Sequence, residues 1–359
     1  MKVLTIIGAR PQFIKASVVS RALKRSSIKE VVLHTGQHFD QNMSEIFFEQ
    51  LSIPRPAVQL DIHGGNHGEM TGRMLIEIEK AVLEHKPDRI LVYGDTNSTL
   101  AGALVAAKLH IPLAHIEAGL RSFNRKMPEE INRIITDQLS DILFCPTEAA
   151  VKNLKEEGFD NRSVKIVNVG DVMQDSALLF AEHSFLPKQV EGLQDFILLT
   201  LHRAENTDDL SRLSSIVESI NELHSSLAPV VFPLHPRTRA VLNQAGLKLN
   251  CKVIDPVGYL EMIGLMKNCS VVLTDSGGVQ KEAFFFGKRC VTLRDQTEWV
   301  ELVEAGVNKL VGADKSSILE ITKSFFKLAV PSDTQLYGGG EASLRIVEIL
   351  EGKLPQKTK

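Results

Sequence analysis

The chain reads as an α/β protein of two Rossmann-like domains, each built on a parallel sheet. Three observations predict this. Short β-branched or Leu-rich runs alternate with helical patterns almost from end to end, as they do where helices link parallel strands and cover both sheet faces. A length of 359 residues accommodates two domains of ordinary size, each with its own core. The apolar run Val271-Val272-Leu273 stops at Thr274-Asp275-Ser276-Gly277-Gly278 and gives way to a helical pattern from Val279 to Phe284. A buried strand opens there onto a helix N-terminus.

In the first half, strands are predicted at Val3–Ile7, Val31–His34, Ile90–Tyr93, Leu113–Ile116 and Ile142–Cys145. Helices are predicted at Phe13–Lys24, Met43–Gln50, Thr71–Glu84 and Thr99–Leu109. The pattern breaks near Val169-Gly170-Asp171 and stays irregular to about Asp195. A second series follows, with strands at Ile197–Leu201, Val230–Pro233, Val253–Ile254, Val271–Thr274 and Cys290–Leu293. Its helices are Leu210–Leu223, Arg237–Ala245, Tyr259–Asn268 and Val279–Phe286. A last helix, Glu341–Leu350, comes after the flexible turn Tyr337-Gly338-Gly339-Gly340. The expected domains are therefore 1–169 and 170–340, with 341–359 returning to the first.

Composition narrows the function. Hydrophobic content of 43% and charged content of 24% are those of a soluble globular protein. A net charge of −3 gives no basic footprint for nucleic acid. No apolar stretch reaches the ~18 residues that span a bilayer, and the N-terminal run Val3–Ile7 ends too soon, in Gly8-Ala9-Arg10-Pro11, for a secretion signal. Cys145, Cys251, Cys269 and Cys290 form no C-x-x-C pair and read as reduced thiols, so a cytoplasmic protein is expected. His63 and His67 have the i, i+4 spacing of a zinc pair, but Gly64-Gly65 would break the helix that spacing needs, so no metal is expected.

Ligands of open α/β sheets sit beyond the carboxyl ends of the strands, and here those ends are chemically loaded. The stretch Thr274, Ser276, Gly277 and Gly278 makes an anion socket, where backbone N–H groups and the helix dipole face the ligand. The socket lacks a Walker A Lys, and no Gly-x-Gly-x-x-Gly occurs, which disfavours ATP hydrolases and nicotinamide dehydrogenases. Glu282, one turn past Gly278, is placed to accept hydrogen bonds from ribose hydroxyls, so a nucleoside diphosphate sugar fits. The alternative is a Gly-rich connection with no ligand. The first strand exits into Gly8-Ala9-Arg10 with Lys15 on the next helix, a pattern for diphosphate contacts; exposed cations are the alternative.

Asp95, Glu117 and Glu129 follow strand ends or open a helix, and converge on one rim if the sheet is parallel. Clustered acids are candidates for proton transfer. Asp95 could instead cap a helix, Glu117 could bridge to Arg121, and Glu129 or Glu130 could simply begin a helix after Pro128. In the second half, His202-Arg203 and His235-Pro236-Arg237 sit at strand tips, suited to bind phosphate or assist its departure. Arg294 follows a further strand and adds contacts to the sugar.

Taken in order, Gly8-Ala9-Arg10-Pro11, Gly94-Asp95-Thr96, His115-Ile116-Glu117-Ala118-Gly119-Leu120-Arg121, Pro128-Glu129-Glu130 and Thr274-Asp275-Ser276-Gly277-Gly278 resemble the non-hydrolysing UDP-N-acetylglucosamine 2-epimerases over nearly the whole chain. The resemblance implies a glycosyltransferase-B type fold with UDP-sugar held between the domains. It implies catalytic positions at Asp95, Glu117, Glu129 and His202, and UDP contacts at Arg10, Lys15, His235, Ser276, Gly277 and Glu282. Two departures stand out: Leu201 precedes His202 where the commoner pattern has Gly, and Met262 stands where many members stack an aromatic ring near uracil. Gln37–Met43, Phe284-Phe285-Phe286-Gly287 and Asp295–Trp299 look most like the branch acting on UDP-2,3-diacetamido-2,3-dideoxy-glucuronate, which feeds surface-polysaccharide synthesis.

The C2 hydrogen of an N-acetylamino sugar is acidified by no carbonyl, and the fingerprint of a nicotinamide oxidation is missing. Elimination of UDP across C1–C2 to a glycal, then re-addition with the proton on the other face, remains. That route needs acid/base groups on both faces and stabilisation of a departing diphosphate. No cofactor is expected, and a homodimer is. For a C6 carboxylate, Arg73, Arg121, Arg125 and Arg294 are the candidate cations. A UDP-GlcNAc 2-epimerase proper, a hydrolysing relative, a glycosyltransferase on the same fold and a catalytically silent UDP-sugar sensor are the alternatives.

Overall fold

The computed structural model describes residues 1–37, 55–334 and 336–353, without the Arg10 side chain. The chain divides into two compact units, Met1–Ser176 with Tyr337–Lys359, and Ala177–Leu336. The expected helix at Met43–Gln50 and most of the Gln37–Met43 segment lie outside the described residues.

In the first unit, β1 (Lys2–Ile7), β2 (Lys29–His34), β3 (Val58–Gln59), β4 (Arg89–Tyr93), β5 (Leu113–Ile116), β6 (Ile142–Cys145) and β7 (Lys165–Asn168) form one sheet. Its order is β3-β2-β1-β4-β5-β6-β7 and every described pairing is parallel. Because helices cover both faces, the central strands are apolar without alternation: Val3 through Ile7 are all buried. The helices are α1 (Arg10–Leu23), α2 (His67–His85), α3 (Asn97–Lys108), α4 (Pro128–Leu139), α5 (Glu148–Glu156) and α6 (Val172–Ala181). The small residues of α3 bring it close to the sheet: a Cβ on Gly102 would stand 2.8 Å from Ile6 Cδ1. Leu4, Ile6, Met74, Ile78, Ile90, Val92 and Val105 make the core there.

In the second unit, β8 (Ile197–Thr200), β9 (Val230–Pro233), β10 (Lys252–Ile254), β11 (Val271–Thr274), β12 (Cys290–Thr292) and β13 (Asn308–Leu310) form a parallel sheet in the order β10-β9-β8-β11-β12-β13. Its helices are α7 (Ala204–Thr207), α8 (Leu210–Ser226), α9 (Pro236–Gln244), α10 (Tyr259–Asn268), α11 (Gly277–Phe285), α12 (Val300–Glu304) and α13 (Lys315–Phe325). The last helix, α14 (Ala342–Leu350), packs on α1 in the first unit. Its free N–H groups are met by Asp175 of α6, which accepts from Ala342 N at 3.1 Å and Ser343 N at 2.7 Å. Among the described residues, no helix is long and apolar enough to cross a membrane.

Strands β3, β7 and β13 were not among the sequence expectations. Each is short, lies at a sheet edge and carries at least as many polar as apolar residues, so the apolar run that marks a central strand is missing. Helix α4 was raised only as an alternative for Glu129 and Glu130.

One buried group ties this fold to pH. His34, at the end of β2, is 2% exposed and stacks on Phe13 with ring centroids 4.8 Å apart. Its Nδ1 accepts from Gly36 N at 2.9 Å, and burial pushes the imidazole down to about 4 from its ordinary 6.5. The folded-state value is depressed, so the stability it contributes is full above pH 6.5 and is lost as pH falls toward 4. The amount at stake is about 3 kcal/mol. In His34→Asn, Oδ1 can replace Nδ1 as acceptor for Gly36. Denaturation of this variant should show a flatter loss of stability between pH 6.5 and 4 than the parent; identical slopes would contradict the assignment.

Candidate active site

In each sheet the strand order reverses beside the first strand, between β1 and β4 in one unit and between β8 and β11 in the other. At such a switch point, successive connections leave toward opposite faces and a crevice opens beyond the strand ends.

At the first switch point, Gln12 stitches the two exits together. Its Oε1 accepts from Gly8 N at 2.8 Å and Ala9 N at 3.0 Å, while Nε2 donates to Tyr93 O at 2.7 Å and to the Thr96 and Thr99 hydroxyls at 3.0 Å. The N–H groups of the Gly8–Ala9 turn are thus already used within the fold. Arg10 opens α1. Lys15, one turn further on, pairs with the Glu117 carboxylate, and both side chains are nearly buried. Glu117 takes a left-handed φ of +72°, rare for a residue with a Cβ and costly enough to mark a constrained position. Gly94 also has positive φ (+62°), and a Cβ there would sit 3.2 Å from Glu117 Oε2 and 3.6 Å from Lys15 Nζ. Lys15, Gly94 and Glu117 therefore meet at one point beyond β1, β4 and β5.

Helix α4 supplies the other partners. Arg133 pairs with Asp95, and Asn132 Nδ2 donates to Asp95 O at 2.9 Å. Burial alone would push the Arg133 guanidinium down; Asp95, Glu130 and then Glu117 hold it above its ordinary value. Asp95 is not the cap of α3: Thr96 holds that place and accepts from Thr99 N. Nor does Glu117 bridge to Arg121. That guanidinium is buried, donating to Asp137 at 2.7 Å and to both Glu157 oxygens at 2.6 and 2.8 Å, which removes Arg121 from the candidate cations for a sugar carboxylate. Glu129 is exposed on the first turn of α4. Its neighbour Glu130 is buried and accepts from Ser122 N and Phe123 N, each at 2.9 Å, holding the loop before the helix.

At the second switch point, the fully buried Asp275 is the centre. Its carboxylate accepts from His202 N at 3.0 Å and Arg203 N at 2.8 Å, and lies 3.4 Å from His202 Nδ1. This fixes the turn after β8 against the turn after β11 and leaves the His202 ring half exposed. Thr274 is buried, its hydroxyl 2.5 Å from that of Thr200 and accepting from Ser276 N at 2.9 Å. Ser276 is the N-cap of α11 but makes no side-chain cap bond. Gly277 leaves no room for a Cβ, which would strike Glu298 Oε1, while Gly278 faces open space. Glu282 is buried on the same helix.

Around this socket, Arg294 donates to Glu298 at 2.9 Å. Burial favours a neutral Glu298, but Arg294 beside it brings the carboxyl below its usual range. Lys281, also buried, lies over the Trp299 ring at 3.9 Å from its centroid and clasps the 294–299 loop to α11. His235 caps α9, accepting from Arg237 N at 3.3 Å, and is exposed. Met262 packs on the core beside Leu265 and Met266. The sequence reading missed Gln12, Arg133, Asp137 and Asp275 as organising residues. Asp275 lies inside the quoted socket, Gln12 directly follows Gly8-Ala9-Arg10-Pro11, and Arg133 comes one turn after Pro128-Glu129-Glu130, so the signals were positional only.

Two doubly wound parallel sheets, one with paired carboxylates at its switch point and the other with a glycine-rich helix N-terminus, define an α/β enzyme with the glycosyltransferase-B type of fold. Residues 21–351 match the family described as UDP-N-acetylglucosamine 2-epimerase. The chain is 67% identical to UDP-2,3-diacetamido-2,3-dideoxy-D-glucuronate 2-epimerase of Pseudomonas aeruginosa over 98% of its own length and 99% of that protein's. It is similar to the crystal structure of Methanocaldococcus jannaschii UDP-GlcNAc 2-epimerase in complex with UDP-GlcNAc and UDP, with TM-score 0.84 and 46% identity over 98% of this chain and 100% of that one. The Neisseria meningitidis enzyme bound to UDP-GlcNAc gives TM-score 0.86 and 33% identity over the same shares. The chain belongs to the UDP-N-acetylglucosamine 2-epimerase family and is an isomerase.

If Asp275 fixes the second switch point, removing its carboxylate strands several buried N–H donors. Asp275→Ala should lower unfolding free energy by about 3 kcal/mol, with Asp275→Asn costing less. A denaturant midpoint unchanged in Asp275→Ala would contradict this role.

Proposed function

We propose that this chain inverts C2 of UDP-2,3-diacetamido-2,3-dideoxy-glucuronate to give the mannuronate epimer. UDP is eliminated across C1–C2 to a glycal and added back with the C2 proton on the opposite face. The observation that carries the mechanism is the junction of Asp95 and Glu117 with Arg133 and Lys15 beyond adjacent parallel strands. Acids and cations packed together at strand ends can pass a proton to and from C2. Asp95, Glu117 and Glu129 carry the proton transfers. His202, its Nδ1 side anchored at Asp275, assists departure of UDP.

Arg10, His235, Thr274, Ser276, Gly277 and Gly278 hold the diphosphate, Glu282 the ribose, and Arg294 the sugar side. Lys15, first read as a diphosphate contact, lies against Glu117 and serves that carboxylate as well. The likeness to the Pseudomonas aeruginosa relative supports the diacetamido uronate as substrate. A C6 carboxylate needs a cation. Arg73 donates to the His63 and Gly64 carbonyls and Arg294 to Glu298, whereas Arg125 is exposed and has no ion pair among the described residues. Arg125 is therefore assigned that carboxylate.

The reading extends to a homodimer working in the cytoplasm for surface-polysaccharide synthesis. Ile76 and Leu83, exposed on the outer side of α2, support self-association, and four free cysteines support a reducing compartment.

Epimerisation assays followed by NMR of the C2 configuration test the proposal. Asp95→Asn, Glu117→Gln and Glu129→Gln should each lower kcat by about 10²- to 10⁴-fold while UDP still binds. On UDP-GlcNAc the parent should show a much lower kcat/KM than on the diacetamido uronate, because groups that pair the carboxylate are left unpaired. Arg125→Ala should narrow that difference. Full activity in all three carboxamide variants removes the acid/base assignment, and equal kcat/KM for both sugars removes the substrate.

A further inference from the structure

Beneath the carboxylates lies a buried group to which no role has yet been assigned. His115, on β5 two residues before Glu117, is fully buried, and both ring nitrogens are engaged. Nδ1 is 2.7 Å from Asp137 Oδ1 on α4, and Nε2 is 2.7 Å from the carbonyl oxygen of Gly94, the residue before Asp95. A carbonyl oxygen can only accept. Asp137 Oδ2 already accepts from Gly119 N at 3.1 Å and Arg121 Nη1 at 2.7 Å, the setting of an ionised carboxylate, which also only accepts. A neutral imidazole has one N–H and would set a lone pair against an oxygen at 2.7 Å on its other side.

We propose that His115 is a positioning residue for the epimerisation: a buried imidazolium, hydrogen-bonded at both nitrogens, that fixes the Gly94–Asp95 turn relative to Glu117. The inference rests on the reading of Asp95 and Glu117 as proton-transfer groups. The charges close. His115 and Arg121 face Asp137 and Glu157, two cations against two anions, and this is the form in which buried charge is tolerated. Cys145 on β6 also lies within the field of this network, its thiol pushed up by burial first and then by the Asp137 charge. Gly94 O is thereby held by the ring through Nε2, and the strand that carries His115 ends at Ile116, directly before Glu117. The left-handed backbone of Glu117, a residue with a Cβ, needs such outside support to persist. The network adds no atom to the reaction; it sets the distance between two groups that must serve one C2 centre.

The test combines a spectroscopic and a kinetic arm on the full chain. With ¹⁵N-labelled histidine, the His115 ring, assigned by its disappearance in His115→Asn, should show both nitrogens protonated in the folded protein. One protonated and one bare nitrogen would overturn the imidazolium. In His115→Asn, one amide N–H group can reach Gly94 O or Asp137 but not both. Its kcat should fall about 10- to 100-fold, the cost of misplacing reacting groups, with the Kd for UDP and the unfolding midpoint of the second unit unchanged. His115→Gln, with a longer reach to Gly94 O, should recover part of the loss. Unchanged kcat in His115→Asn overturns the positioning role, and so does loss of UDP binding in step with kcat. Failure of the underlying carboxylate reading registers separately, as active Asp95→Asn and Glu117→Gln variants.

Discussion

The constraint on which the rest depends is the reversal of strand order within a parallel sheet. Where β1 meets β4, and where β8 meets β11, the following connections leave for opposite faces. The ends of two neighbouring strands are then left with polar backbone groups and no covering helix. The protein fills each gap with one buried side chain that serves both exits. Gln12 bonds the turn after β1 to the end of β4, and Asp275 bonds the turn after β8 to that after β11. Each is a small hydrogen-bonded knot that leaves neighbouring chemistry-bearing residues in fixed positions. Asp95 and His202 each lie within two residues of a strand or turn held in this way.

Electrostatics then decides which acids stand where. Glu130, Asp137 and Asp275 are buried and spend their oxygens on backbone N–H groups, an arginine or the His115 ring. They hold the fold. Asp95 faces Arg133, Glu117 faces Lys15, and Glu129 is exposed. Acids of the same type, a few residues apart on α4 or in the loops before it, thus have separate duties, assigned by what else reaches their oxygens. Arg121 and Arg133 divide in the same manner. One is locked between Asp137 and Glu157, and the other stands beside Asp95 and within the field of Glu117.

Much of this was legible in the sequence, for identifiable reasons. Strands β9 and β11 and helix α10 have the residue ranges expected from their apolar patterns, because central elements bury most of their residues and the pattern is strong. Edge strands β3, β7 and β13 were not, since an edge needs few apolar residues. The residues at strand ends could be picked out because the ends of apolar runs are visible in one dimension. Their partners could not. That Lys15 meets Glu117, and that Arg121 turns away to Asp137 and Glu157, depends on how α1, α4 and α5 lie against the sheet. Spacing along the chain suggested the nearer pair, Glu117 with Arg121, and tertiary packing chose another.

The central claim is that the carboxylates beyond β4 and β5 move a proton at C2 while UDP is away from C1. Turnover in heavy water examines that step without any mutation. Elimination and re-addition let the abstracted proton exchange, so NMR should find solvent-derived deuterium at C2 of both epimers. An epimerised product that carries no deuterium at C2 would contradict the account.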